Sequence, residues 1–84
     1  MENIYREIEN RVRNSGFNRN VSGEDIYGDI CDQIEDKEDG AYILLSKFDD
    51  DVTFEYSLQI MDENFNLSSI TITAPEGKFF VDFD

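Results

Sequence analysis

Between residues 52 and 60 the chain alternates apolar and polar at every step. Val52, Phe54, Tyr56, Leu58 and Ile60 interleave with Thr53, Glu55, Ser57 and Gln59. Successive side chains of a strand point to opposite faces, so the pattern predicts a strand with one dry and one wet face, as in an antiparallel sheet packed on one side. Residues 41–48 predict the preceding strand. Its Tyr42-Ile43-Leu44-Leu45 run is apolar on both faces, which predicts a central strand or one covered on both sides. Asp49, Asp50 and Asp51 make the tight connection between the two. Residues 61–66 are rich in types that tolerate left-handed geometry and predict a turn. Residues 67–73 follow as a strand with Ile70 and Ile72 on one face and Ser69 and Thr71 on the other. Ala74-Pro75-Glu76-Gly77 is a turn with Pro at its second position, and residues 78–83 close the chain as a strand with Phe79, Val81 and Phe83 on one side.

Upstream the period becomes helical. Ile4, Tyr5, Ile8 and Val12 form one stripe over residues 2–14. Glu2 and Glu7 near its start and Arg11 and Arg13 near its end suit the helix dipole. The Arg residues are expected to be solvated or paired with carboxylates across the surface. Asn14-Ser15-Gly16 is a stop signal, and Phe17 is expected beneath the helix end. Residues 24–35 fit two templates. As a helix, Ile26, Tyr27, Ile30, Cys31 and Ile34 make a stripe, with Ser22 as N-cap and Asp25 three residues on. As a strand, Ile26, Gly28, Ile30, Asp32 and Ile34 share a face. Gly28 costs a helix about 1 kcal/mol relative to Ala, whereas Asp25, Asp29 and Asp32 are poor strand formers. The helix is preferred, with a fifth strand as the alternative. The expected fold is α+β: an N-terminal helix on one face of a four-stranded antiparallel meander, in a single domain of 84 residues.

Composition limits the function. The net charge is −13, from 20 acidic and 7 basic residues, so the chain is expected to repel itself and to have no direct affinity for nucleic acid or an anionic membrane surface. Screening by salt should raise its stability. Eleven aromatic residues, seven Phe and four Tyr, set it apart from a disordered acidic tail. Cys31 is the one cysteine, which excludes an intramolecular disulfide. Its acidic surroundings disfavour the thiolate, so it reads as a small core residue. No apolar run of signal-peptide or membrane-span length is present, and a cytoplasmic location is expected.

The acids are unevenly spread. Residues 1–20 carry four Arg and three Glu, whereas residues 21–84 carry seventeen acids against three Lys. Eight acids fall between residues 24 and 39: Glu24, Asp25, Asp29, Asp32, Glu35, Asp36, Glu38 and Asp39. Asp49, Asp50 and Asp51 form a second focus. Such a field on a small domain can occupy a Lys/Arg-lined site on a basic partner protein, as a mimic of the phosphate backbone. The plainer alternative is a structural or accessory protein whose solvated acidic face only keeps it soluble. In size and charge the chain is similar to the small acidic inhibitors that mobile elements and phages use against restriction and CRISPR enzymes, a likeness of composition that attaches to no motif.

Other chemistry finds less support. Asp62, Asn64 and Asn66 match the first oxygen ligands of a calcium loop. Leu67 and Thr73 then stand where that loop needs Gly and Glu, so a hairpin turn explains them better; a third reading is weak divalent-cation binding at the Asp49, Asp50 and Asp51 cluster. With no histidine, the commonest general base and metal ligand is missing. No catalytic, cofactor or metal-ligand set is expected, and no enzyme. The short apolar edge over residues 78–83 could pair with a second copy, so the expected state is a monomer or a weak homodimer.

Overall fold

The strand with the cleanest alternation lies inside the sheet. In the computed structural model, which describes residues 4–62 and 64–83, two helices precede four strands. They are α1 (Ile4–Asn14), α2 (Gly23–Ile34), β1 (Gly40–Asp49), β2 (Val52–Met61), β3 (Asn64–Ala74) and β4 (Gly77–Asp82). The strands pair antiparallel in chain order and both helices cover one face, which is the expected α+β architecture. The ambiguous segment is α2, with Glu35 at its C-cap, so it is not a fifth strand. Residues 2 and 3, the start of the expected first helix, lie outside the described residues.

The dry face of β2 is the middle of the core. Val52, Phe54, Tyr56, Leu58 and Ile60 are buried there with Leu44, Ile70, Ile72 and Val81 from the other strands. The helices add Ile8 and Val12 from α1 and Ile26 and Ile30 from α2. Ile4, expected in the α1 stripe, is instead 46% exposed at the helix start. Gly16 adopts φ 102° and ends α1, dropping Phe17 into the core. The Phe17 ring lies 5.6 Å from Phe79, 5.9 Å from Phe54 and 6.1 Å from Phe48, tying the loop after α1 to three strands.

The two helices cross at Gly23. A Cβ there would stand 1.9 Å from the Tyr5 carbonyl oxygen, so only glycine permits the approach. The crossing also caps α2. Ser22 Oγ accepts from the Asp25 N–H at 3.3 Å, as expected, and Glu9 Oε2 on α1 accepts from the Gly23 N–H at 2.8 Å. Two N–H groups that α2 cannot pair internally are thereby satisfied.

Within the sheet the structure corrects the sequence reading at three places. The first is β1, which is an edge strand and not a central or doubly covered one. Its Tyr42, Leu44 and Ser46 face the helices, while Ile43 and Leu45 are 66% and 63% exposed on the open face. The second is the 61–66 turn, which is shorter than expected because β3 already begins at Asn64. The third is a register shift in the β2–β3 pair, where Ser57 faces Ser69 but Leu58 faces Leu67. Ser68 is the extra residue of a bulge, and its carbonyl accepts from the Phe83 N–H at 3.0 Å. The bulge changes parity, so Phe65 and Leu67 pack on the same core as Ile70 and Ile72.

Candidate partner-binding surface

Helix α2 sorts its residues by its period. Ile26 and Ile30 point into the core, and Glu24, Asp25 and Asp32 lie exposed on the opposite side. Glu35, Asp36, Glu38 and Asp39 continue the exposed acidic run through the loop into β1. Among the described residues, no Lys or Arg makes an ion pair with any of these seven carboxylates. Glu24 and Asp25 suit the first turn of α2, but the arrangement works against the helix at its other end. Asp32, Glu35 and Asp36 crowd the negative end of the α2 dipole, and its last turn holds no basic residue. Like charges spaced three or four residues apart, as at Asp32 with Glu35 and Asp36, add further repulsion.

Asp29 is the exception in the row. It is half-buried, and its Oδ2 accepts from the Tyr56 hydroxyl at 3.1 Å and from Gln33 Nε2 at 3.3 Å. It ties α2 to β2. Burial pushes the Tyr56 phenol well above its ordinary range, with the Asp29 charge adding to the shift and a hydrogen bond from Ser46 opposing it. Asp25, Asp29, Ser46, Lys47, Phe48 and Tyr56 line a cleft of about 260 Å³ between α2 and β1.

The second acidic focus is already engaged within the fold. Arg19 reaches Asp51 at 3.1 Å, Glu76 at 3.2 Å and Asp49 at 3.4 Å, joining the β1–β2 and β3–β4 turns to the loop before α2. The hydrogen bond from Arg19 holds the Asp51 carboxyl below its usual range, and the same contact raises the Arg19 guanidinium. The two foci lie at opposite ends of β1. Asp39 precedes the strand and Asp49 ends it, so they are separated by about 30 Å of extended chain. Helix α2 runs beside β1 between them, with Asp25 near Lys47 and Phe48 at one end and Glu35 near Asp39 at the other. Its carboxylates therefore join the two foci into one ridge along that side.

Sequence reasoning missed Arg19 and Glu9, whose partners are distant in the chain. From the sequence Arg11 is expected to be solvated or paired across the surface. It pairs with Glu7 on its own helix at 3.1 Å, and its Nη1 donates to the Asp82 carbonyl at 2.8 Å. Cys31 is exposed beside Tyr27 and Ile34, which corrects its assignment to the core. Among the described residues, no group of three or more His, Cys, Asp or Glu side chains is placed to hold a metal ion. Asn64 and Asn66, considered above as calcium ligands, belong to β3, and the residue between Asp62 and Asn64 lies outside the described residues. No helix among the described residues is long and apolar enough to cross a membrane. In comparisons with known proteins, no protein family, no curated protein and no solved structure matches the chain.

Proposed function

We propose that this chain is a non-catalytic cytoplasmic interaction module whose α2 ridge binds a basic partner protein at a site that otherwise holds nucleic acid. The observation that supports this reading is the unpaired acidic row. Six carboxylates, Glu24, Asp25, Asp29, Asp32, Glu35 and Asp36, fall between residues 24 and 36. At a helical rise of 1.5 Å per residue they span about 18 Å, or one charge per roughly 3 Å. One strand of a DNA duplex carries a phosphate every 3.4 Å of axis, so the linear charge density along α2 is close to that of a nucleic-acid strand. Among the described residues none of the six makes an ion pair, and the repulsion they impose on α2 is relieved when a partner supplies cations.

Retention of lysate proteins on the immobilised chain at low salt tests the reading. Elution by a salt gradient, with the retained protein binding duplex DNA in competition with this chain, is the expected result. Retention insensitive to salt, or a retained protein that binds DNA and this chain together, would contradict it.

A further inference from the structure

We propose that the outer edge of β1 is a strand-addition site for an extended partner segment that is apolar at its centre and basic at both ends. The inference rests on the basic-partner reading above and names the shape of that partner. β1 is ten residues long and ends the sheet, so among the described residues no strand lies along its outer side. Among the described residues, no side chain and no loop donates to or accepts from its backbone. A row of unpaired N–H and C=O groups is a template for another chain. The opposite edge is different: β4 has six residues, and Arg11 already occupies the Asp82 carbonyl.

Side chains and charge define the occupant. On the open face Ile43 and Leu45 stand exposed side by side on β1, opposite Ser57 and Glu55 of β2. A bound strand would lay alternate apolar side chains against them. Beyond this apolar centre acids outnumber bases at both ends, with Glu38 and Asp39 before it and, past Lys47, Asp49, Asp50 and Asp51 after it. Arg19 already pairs with Asp49 and Asp51, which leaves Asp50 and the ends of the edge for an incoming cation. Basic ends on the incoming strand complete the match. A second copy fits poorly. In the antiparallel register centred on Leu44, which places Ile43 against Leu45 of the other copy, Asp49 and Asp50 would meet Asp39 and Glu38. Two chains of net charge −13 would also be brought together.

The probe is a synthetic peptide of alternating valine and threonine with paired lysines at each end. Its control is the same peptide N-methylated on alternate backbone amides, which keeps charge and composition but removes ladder hydrogen bonds. Anisotropy should show the unmodified peptide binding roughly tenfold tighter, with amide chemical-shift changes centred on Gly40–Asp49. Leu45→Thr, at an exposed position and with a good strand former, should weaken binding several-fold without lowering Tm. Equal binding of both peptides with changes confined to α2 would overturn the edge site and leave the acidic-surface reading standing. No binding of either peptide at low salt would overturn both. Self-association in sedimentation, with β1 shifts in the absence of peptide, would make a second copy the occupant and overturn the inference.

Discussion

Gly23 and Gly28 sit five residues apart on α2 and make opposite demands. A methyl group at residue 23 would meet the Tyr5 carbonyl oxygen at 1.9 Å, whereas at residue 28 it would meet nothing within 4 Å. Gly23→Ala should therefore lower stability by about 1–3 kcal/mol through overpacking, and Gly28→Ala should raise it by about 0.5–1 kcal/mol. Urea denaturation of the two variants checks both signs. Tyr56 gives a pH prediction. Its phenol is raised in the folded state, so the native chain keeps a proton that the unfolded chain loses above pH about 10. The contribution is fully present below that pH and is lost as pH rises towards the folded value. Its slope reaches about 1.4 kcal/mol per pH unit. Tyr56→Phe should flatten the alkaline limb of a stability-versus-pH curve; an unchanged limb would contradict the assignment. At this scale the sequence revealed what is local. The Ser22 cap was legible from its spacing to Asp25, while Glu9 at the same helix end and Arg19 among three carboxylates were not. Their partners lie 14 to 57 residues away, beyond any periodic signal.

Elements were legible where periodicity had one reading. β2 needed only its alternation, and β1 misled because its apolar run had two physical causes. A run apolar on both faces is expected of a covered strand, but it also arises on an edge strand that keeps an apolar pair exposed, and only the topology decides between them. The β3 bulge left a trace in the sequence. Phe65 and Leu67 occupy odd positions and Ile70 and Ile72 even ones, so an unbroken strand cannot turn all four to the core. The shift falls at Ser68. Deleting Ser68 would let the Ser57–Ser69 and Leu58–Leu67 pairs follow one another in a regular ladder, so Phe65 and Leu67 should stay on the core face and the urea midpoint should shift little. A loss of several kcal/mol would show that Ser68 does more than reconcile the two parities.

For the whole molecule the charge is asymmetric. The open sheet face carries Lys47 and Lys78 with Glu55 and Asp82, a balanced set, and the excess acid is on the α2 side and at the strand ends. Self-repulsion of a chain at −13 should be screened by salt, so Tm should rise between low and moderate ionic strength; a flat or falling Tm would contradict this. That rise alone does not separate a binding face from a solubilising one, because both follow from net charge. Position separates them. Asp32→Lys with Asp36→Lys places cations at the C-terminal end of α2, where the dipole favours them, so folding should be at least as stable. Glu55→Lys with Asp82→Lys makes the same change in net charge on the open face. The most direct test of the account is the affinity of the retained basic partner for these two double variants. Affinity should fall about tenfold or more for the α2 pair and about twofold or less for the open-face pair. Equal losses would mean that only net charge matters, and that the α2 ridge is a solvated surface with no binding role.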